Sequence, residues 1–428
     1  MKQLRIFETG SSTRCQLIVA ICLIGIAGCF ADIASAQSLP PVPVPAENPI
    51  TEAKRILGKI LFWEEQLSYN DTVACGTCHI PGAGGADPRS GIHPGTDAGT
   101  IDNVRGSPGI ASLDADGNLS EHEVFGFGPQ ITPRISPSNF GALWAAEVFW
   151  DGRAGPDFID PLTEETAIAY GGALETQALA ALSNSAEMTN SAHNWAALSA
   201  KLSAHRPLAL AADIPVDVGK ALTRHKTYPQ LFEWAFGDSA ITPVRIAFAL
   251  ATYQRTLIAD ATPWDRLQAG DSSALSETEL LGWQDFQAFK CDSCHTPPLF
   301  TNNDFLNIGL RLSRFDNGRM TVTEDPEDAG EMKVPSLRNV GLRPRFMHTG
   351  QFNNLGAAIG FYRTGAALED RDRMPNGSIY SFNMGGLNEQ NIRAFLQNAL
   401  TDPRVRDERF PFDRPKLRSE MTGQPKLP

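Results

Sequence analysis

Two copies of one short pattern contain the residues of this chain that are best suited to chemistry. The pattern is C-x-x-C-H, which occurs at residues 75–79 (Cys-Gly-Thr-Cys-His) and again at residues 291–295 (Cys-Asp-Ser-Cys-His). Its two thiols can form thioether bonds to the vinyl groups of a porphyrin, and the adjoining imidazole can then bind the iron. The sequence therefore predicts two covalently bound c-type haems. The predicted attachment residues are Cys75, Cys78, Cys291 and Cys294, and the predicted iron ligands are His79 and His295.

The remaining cysteines support this interpretation. The chain has seven, and the other three are Cys15, Cys22 and Cys29, near its beginning. The alternatives for a C-x-x-C pair are chance, a thioredoxin-like redox pair and half of a zinc site. Chance is disfavoured because only 8 of 428 residues are His, yet one follows each pair. A zinc site is disfavoured because no further Cys/His pair lies near either motif.

The first 36 residues have the pattern of a secretory signal peptide. A basic segment precedes an apolar run at residues 17–28, and residues 34–36 (Ala-Ser-Ala) form a small-residue cleavage site. The run is too short to span a bilayer comfortably. An alternative is a lipoprotein signal at residues 26–29 (Ile-Ala-Gly-Cys), which would lipidate Cys29 and is the one route to membrane contact. Both signals predict a periplasmic protein, and c-type haem is attached in that compartment in bacteria.

Composition and periodicity predict the class of the mature protein. The formal net charge of −12 disfavours nucleic acid and anionic membranes as partners. Apolar residues recur with helical spacing, and no strand-like alternation is sustained. Long Gly/Pro-rich segments separate the helices, and a porphyrin would give them a core to surround. We expect an all-α fold of two cytochrome c-type haem domains with long irregular loops. The predicted helices span residues 50–62, 174–182, 194–202, 243–258, 276–289, 355–362 and 388–400.

The order helix, C-x-x-C-H, loops, helix occurs twice, and it predicts how the chain is divided. The predicted divisions are a signal peptide at 1–36, a Pro-rich leader at 37–49, an N-terminal haem domain at 50–240, a C-terminal haem domain at 241–415 and a tail at 416–428.

An ordered set of further landmarks resembles one known family across residues 50–415. The landmarks are Leu57-Gly-Lys-Ile-Leu-Phe62, Phe149-Trp-Asp-Gly-Arg153, Arg255-Thr256, Pro298-Leu-Phe-Thr301, Asn307-Ile-Gly309 and Val334-Pro-Ser-Leu-Arg-Asn339. Together they are similar to the bacterial di-haem cytochrome c peroxidase and MauG family. The resemblance implies an oxidoreductase whose N-terminal haem meets hydrogen peroxide and whose C-terminal haem stores or relays electrons. It also implies a tryptophan between the haems, which is Trp150 here.

Tyr362 decides which branch of the family this chain resembles. Peroxidase members have a Met fourteen residues after the His of a His-x-Gly element, and MauG has a Tyr there. In this chain the element begins at His348, and Tyr362 stands at that distance. A phenolate favours higher oxidation states of iron, whereas a thioether favours Fe(II). The resemblance therefore predicts Tyr362 as a ligand of the second iron, with Met347 and Met384 as alternatives.

The first iron is predicted to be open to peroxide, with a carboxylate beside it. Counting back from Trp150 by the family's spacing reaches Phe127, where peroxidases often have a blocking His; His93 and His122 lie in the same region. Cleavage of peroxide needs a group that moves a proton from the inner to the outer oxygen. The family has a Glu-Met pair for this, which predicts Glu187, with Glu164, Glu165 and Glu175 as rivals.

The calcium site of the family is predicted to be lost or rebuilt. The equivalent positions are Ile135 and Arg343, with Arg345 nearby, and calcium prefers oxygen ligands and negative charge. An arginine charge is one way to replace the ion.

The resemblance implies two hypotheses for the function. In the first, a MauG-like di-haem oxidase uses hydrogen peroxide to reach a high-valent state of both haem irons, and then oxidises a residue, typically Trp, of a periplasmic partner protein by long-range electron transfer. In the second, a di-haem cytochrome c peroxidase reduces peroxide to water with electrons from a small cytochrome c or cupredoxin. A plain electron carrier is the third hypothesis, and Glu187 and the open first iron disfavour it.

Overall fold

The structure is a computed structural model that describes residues 38–94, 104–114, 117–189, 194–364 and 384–421. The predicted signal peptide and Cys29 lie outside these residues. The described chain is mainly helical, which confirms the predicted fold class, and its short strands pair into four two-stranded antiparallel sheets. None of its helices has the length and apolar character that crossing a membrane requires.

The described residues form helices and four pairs of short strands. The helices are α1 Glu52–Phe62, α2 Cys75–Cys78, α3 Ala173–Leu182, α4 Trp195–Ala204, α5 Val216–Arg224, α6 Tyr228–Phe236, α7 Pro243–Arg255, α8 Pro263–Gln268, α9 Glu277–Ala288, α10 Met320–Thr323, α11 Leu355–Thr364, α12 Gly386–Ala394 and α13 Pro403–Arg406. The strands pair as β1 Gly91–Ile92 with β2 Arg105–Gly106, β3 Pro108–Ala111 with β4 Pro129–Ile131, β5 Phe158–Ile159 with β6 Thr166–Ile168, and β7 Phe305–Leu306 with β8 Met332–Lys333.

Local sequence signals explain where several helices begin. The predicted capping box at Ser276 is present: Ser276 N donates to Glu279 Oε2 at 2.7 Å, and Glu279 N donates to Ser276 Oγ. Helices α6, α7 and α8 each follow a Thr N-cap and have a Pro in the first turn. Helices α5, α6 and α8 were not predicted from periodicity, because each is short and two of them lie near Gly- or Pro-containing turns.

The first hydrophobic core is built on the crossing of α1 and α7. Gly58 allows this crossing, because a Cβ there would lie 1.9 Å from the Ala249 carbonyl oxygen of α7. Leu57 and Ile60 are fully buried beside it, and Trp63 Nε1 donates to the Tyr253 hydroxyl at 3.3 Å. Helix α3 also packs on α7, so the helices that flank the first motif share one core.

The second core is an aromatic cluster around α8 and α9. Trp264 contacts Trp283, Phe300 and Phe395, with ring centroids 4.8, 5.4 and 5.7 Å away. Such edge and tilted contacts are favourable arrangements of aromatic rings. Helices α11 and α12 complete this core, which lies beside the second motif.

Both ends of the described part of the chain pack on the first core. Asn48 of the Pro-rich leader is buried, and its Nδ2 donates to Glu175 Oε1 at 2.8 Å. The C-terminal segment contributes three residues without exposed area to the first core, namely Val405, Phe412 and Leu417. Since α7 also belongs to the first core, we propose that the second haem domain comprises roughly residues 259–402, narrower than the predicted 241–415.

Ion pairs join the two domains near the landmark tryptophan. Arg134 pairs with Asp316 of the second domain at 2.6 Å and with Asp151 of its own domain at 2.6 Å. Arg319 of the second domain pairs with Glu147 at 3.0 Å. These contacts hold the turn that follows Phe149 against the second domain.

Candidate functional site

The first motif forms the short helix α2, packed tightly against Trp63. A Cβ at Gly76 would lie 2.2 Å from the Trp63 ring, so only glycine fits at this position. Thr77 Oγ1 accepts a hydrogen bond from Ala74 N at 2.8 Å and caps the turn. The sequence thereby places Cys75, Cys78 and His79 on one rigid turn.

His79 is oriented by a glycine turn that follows it. Gly84 and Gly85 have φ of 68° and 74°, a left-handed conformation that suits glycine. The turn brings the Gly85 carbonyl to 2.9 Å from His79 Nδ1. If Nδ1 carries the proton, the lone pair of Nε2 is left to bind iron. Burial lowers the pKa of His79, which favours the neutral form that a metal ligand needs.

His295 is held in the same way by two carbonyl groups. Its Nδ1 lies 3.2 Å from the Phe300 oxygen and 3.1 Å from the Pro335 oxygen. Burial lowers the pKa of His295 to about 4, so its imidazole is neutral at physiological pH. The second motif is shaped locally by Ser293, whose hydroxyl donates to the Lys290 carbonyl at 2.7 Å.

The four motif cysteines are free thiols, and the structure disfavours the alternative uses of such pairs. No disulfide joins either pair. Within the described parts of the chain, no group of three His, Cys, Asp or Glu side chains is arranged to hold a metal ion, so the zinc alternative has no support. Burial raises the pKa of Cys75 and of Cys291 to about 12, which keeps both as thiols.

Each motif lines its own cavity. The cavity beside the first motif, called here the His79 cavity, has a volume of about 490 Å³ and is lined by Cys78, His79, Trp150 and Glu187 among others. Cys75 lines an adjoining space of about 40 Å³ that shares Cys78, His79 and Glu187.

The cavity beside the second motif, called here the His295 cavity, has a volume of about 190 Å³. It is lined by Cys291, Cys294, His295 and Tyr362 among others.

Glu187 faces the His79 cavity with a perturbed carboxyl group. Its side chain is half-buried by surface area because it borders the cavity, while protein surrounds it on its other sides. Asn184 Nδ2 donates to Glu187 Oε1 at 2.8 Å. Burial raises the pKa of Glu187 to about 7, against the opposing charge of Arg153. A carboxyl group with this pKa can both accept and return a proton near neutral pH.

The rival glutamates lie elsewhere. Glu175 is fully buried and pairs with Arg255 at 2.6 Å, a structural role. Glu164 and Glu165 are exposed in the turn between β5 and β6. None of the three is among the residues that line the His79 cavity.

Trp150 is part of the wall that the two cavities share. It lines both, together with residues 333–336. Its Nε1 donates to the Ile135 carbonyl at 2.8 Å, and its ring lies 6.2 Å from that of His348 in an edge-on arrangement. The indole is therefore held rigidly between the two motifs.

Tyr362 lines the His295 cavity, and so do both methionine alternatives, Met347 and Met384. Burial raises the pKa of Tyr362, so the phenol stays protonated unless a metal replaces its proton. Tyr362 therefore stays a prediction as the ligand of the second iron, and its position in the cavity lining is compatible with this role.

Neither of the two loop histidines lines the His79 cavity. Among the residues that the structure describes there, His79 is the one histidine in the lining. His122 Nδ1 accepts from Val124 N at 3.0 Å in an exposed turn, and the ring of His93 lies 5.9 Å from that of Phe125. Phe127 is 52% exposed, so the residue reached by counting back from Trp150 does not line the cavity either.

Several polar groups of the two cavities were not predicted from the sequence. Asn184 and Gln254 line the His79 cavity, and the carbonyl groups of Gly85 and Pro335 hold the two imidazoles. Asn184 precedes Glu187 by three residues, and this spacing is the one signal that could have identified it. Backbone carbonyl groups leave no signal in a sequence.

The residues present fit two c-type haems. Each motif offers two free thiols and an imidazole whose Nδ1 is held by a carbonyl group, and each borders a cavity. In the His295 cavity, His348 Nε2 is buried and has no hydrogen-bond partner among the described residues, so it is available to a bound group.

Comparisons with known proteins agree with this geometry. The family model described as di-haem cytochrome c peroxidase matches residues 52–273. The methylamine utilization protein MauG of Methylophilus methylotrophus is 27% identical over 380 residues, which cover 86% of this chain and 91% of that protein. Cytochrome c551 peroxidase of Pseudomonas aeruginosa is 28% identical over 322 residues, covering 73% and 72%.

The fold is also similar to a solved structure. The crystal structure of a MauG-like protein associated with microbial copper homeostasis matches with a TM-score of 0.60 at 22% identity, covering 86% of this chain and 95% of that one. This likeness supports the fold.

Proposed function

This chain belongs to the di-haem cytochrome c peroxidase family, whose members are enzymes that act on hydrogen peroxide, and we propose that it is a MauG-like oxidase within that family. Its substrate would be a residue, typically Trp, of a partner protein in the periplasm. The observation that carries the proposal is the placement of Tyr362 in the His295 cavity, with Trp150 in the wall between that cavity and the first.

Each C-x-x-C-H motif would hold one haem. Cys75, Cys78 and His79 would hold the first haem, and Cys291, Cys294 and His295 the second. The chemistry that bound haem supplies is electron transfer, since two irons together can hold the two oxidising equivalents of one peroxide molecule.

Glu187 would move the proton that peroxide cleavage requires. Asn184 holds Oε1, which leaves Oε2 to accept a proton from the inner oxygen of peroxide and return it to the outer oxygen. A pKa of about 7 supports both halves of this transfer, because neither protonation state is strongly preferred at neutral pH.

Trp150 would couple the two sites. Its indole is buried in the shared wall and is kept in one orientation by the Ile135 carbonyl. A substrate residue outside the protein then needs no access to either cavity, because electrons and not atoms are exchanged with it.

The test is the reaction of the diferric protein with one equivalent of hydrogen peroxide, followed by optical and Mössbauer spectroscopy. We expect both irons to be oxidised above the ferric level and to remain so in the absence of a donor. The proposal fails if the reaction requires prior reduction of one haem and then turns over rapidly with reduced cytochrome c.

That second outcome would establish a conventional cytochrome c peroxidase. One observation favours this alternative: Met347 and Met384 line the His295 cavity together with Tyr362, so a thioether ligand is available.

A further inference from the structure

Arg343 is a buried cation that no carboxylate of the described residues neutralises. Arg343 is 8% exposed, and its Nε has no hydrogen-bond partner among the described residues. Its Nη2 donates a hydrogen bond to the Ser136 carbonyl at 3.3 Å. Burial lowers the pKa of Arg343 to about 10, with no acidic group acting in the opposite direction.

Such an arrangement is costly unless an anion is nearby. A buried charge is normally paired and hydrogen-bonded, because removing it from water is strongly unfavourable. Among the described residues, the other buried arginines follow the rule: Arg55 pairs with Asp217, Arg255 with Glu175, and Arg338 with Asp265. Arg343 therefore departs from the pattern that this protein otherwise keeps.

The position of Arg343 indicates where its anion comes from. Arg343 lines the His295 cavity. Its hydrogen-bond partner Ser136 lines the His79 cavity, and Ser136 Oγ donates to the Cys78 carbonyl at 3.1 Å. The guanidinium thus lies between the two motifs.

We propose that Arg343 is the internal counter-cation of the haem propionates, bound to at least one propionate carboxylate between the two haem sites. A guanidinium suits this role because its planar set of donors matches the geometry of a carboxylate. Arg343 and Ser136 come from different domains, so the contact would also join the domains through the cofactors.

The inference depends on the presence of two haems and is independent of the MauG-like branch. A positive charge beside a haem favours the reduced iron, because reduction adds an electron. Arg343 should therefore raise the midpoint potential of each haem whose propionate it binds.

The experiment compares midpoint potentials of the di-haem protein by spectroelectrochemistry. In Arg343→Gln we expect the one-electron reduction equilibrium of at least one haem to fall about tenfold, which is a downward shift of about 59 mV. Arg343→Lys keeps the charge and should keep the potentials near those of the unchanged protein. Arg345→Gln is the matched control: it removes a nearby arginine that is more exposed and should shift neither potential.

Two further measurements keep the proposal testable if Arg343→Gln fails to accumulate with both haems. A structure of the haem-loaded protein should show the guanidinium within hydrogen-bond distance of a propionate oxygen. Treatment with a calcium chelator should leave the potentials unchanged. The proposal is overturned if Arg343→Gln has the potentials of the unchanged protein, if Arg345→Gln shifts them equally, or if stoichiometric calcium occupies this position.

Discussion

Among the glutamates near the first motif, Glu187 is distinguished by its surroundings and not by its sequence. Glu175 is neutralised by Arg255, and Glu164 and Glu165 are in water, whereas Glu187 borders a cavity and has an amide as its hydrogen-bond partner. Burial without a paired cation is what raises a carboxyl pKa. The residue suited to proton transfer is therefore the one that the fold has removed from water without giving it a salt bridge.

The rate of the reaction with peroxide should rise with pH through about pH 7. The carboxylate form of Glu187 accepts the proton, and its pKa of about 7 means that this form is scarce below that pH and dominant above it. Glu187→Gln should lower the second-order rate constant by about 10²–10⁴-fold and remove this pH dependence. Stopped-flow mixing with peroxide across the range measures both effects.

Glu165→Gln is the control for this prediction, because Glu165 is exposed and does not line the cavity. A rate that falls as strongly in Glu165→Gln, or a pH profile that survives in Glu187→Gln, would assign the proton transfer to another group.

Tyr362 poses the second question at this scale, since three potential ligands line one cavity. If Tyr362 binds the second iron, Tyr362→Met should raise the midpoint potential of that haem, because a thioether favours Fe(II) and a phenolate does not. Met347→Leu and Met384→Leu should leave the ferric spectrum of that haem unchanged. A changed spectrum in either methionine variant, with none in Tyr362→Phe, would identify a thioether ligand instead.

At the scale of elements, the motifs are positioned by helices that contact one another very closely. Helix α1 leads into the first motif, and it crosses α7 at Gly58, where the backbones touch. Trp63 at the end of α1 then packs on Gly76 within the motif. Two glycines thus determine how close the haem-binding turn lies to the first core.

Gly58→Ala should destabilise the first domain by about 1–3 kcal/mol, because the added methyl group overlaps the Ala249 carbonyl oxygen and the helices must separate. The melting temperature, followed by circular dichroism, should fall accordingly. Gly219→Ala is the control: it also lies within a helix, α5, but its Cβ would meet nothing within 4 Å. This second variant should be stabilised by about 0.5–1 kcal/mol, since alanine is the better helix former. Equal effects in the two variants would contradict the close crossing.

At the scale of the whole molecule, the C-terminal part of the described chain packs back on the first domain. The segment after residue 402 returns from the second domain and contributes Val405, Phe412 and Leu417 to the first core. Lys59 of α1 is fully buried and pairs with Asp413 at 2.8 Å. The first haem domain is therefore incomplete until residues 405–417 have been made.

Phe412→Ala should destabilise the first domain by about 3–5 kcal/mol, because a fully buried ring in contact with Phe140 is lost and a cavity remains. Differential scanning calorimetry should show a lower transition for the domain that holds His79, with little change in the other. Tyr170→Ala removes an aromatic ring that is 74% exposed and should change neither transition. An unchanged melting profile in Phe412→Ala would mean that the C-terminal segment does not belong to the first core.

Much of the helical framework could be predicted from the sequence. The ends of α1, α3, α9 and α11 agree with the predicted helices to within a few residues, because their apolar periodicity and caps are local signals. The return of the C-terminal segment could not be predicted. Phe412 has no local sign of which domain it packs on, since that depends on contacts between residues far apart in the chain.

The sequence by itself determined the chemistry that this protein can carry: two C-x-x-C-H motifs predict two covalent haems, because the spacing alone puts thiols and imidazole on one turn. Only the tertiary structure decided which side chains surround each motif. It brought Glu187 to the first cavity and put Trp150 into the wall shared with the second. It also left Arg343 buried between the motifs with no carboxylate of the described residues beside it. Burial and the absence of a salt-bridge partner perturb these groups, and both are properties of the folded chain that no spacing of residues records.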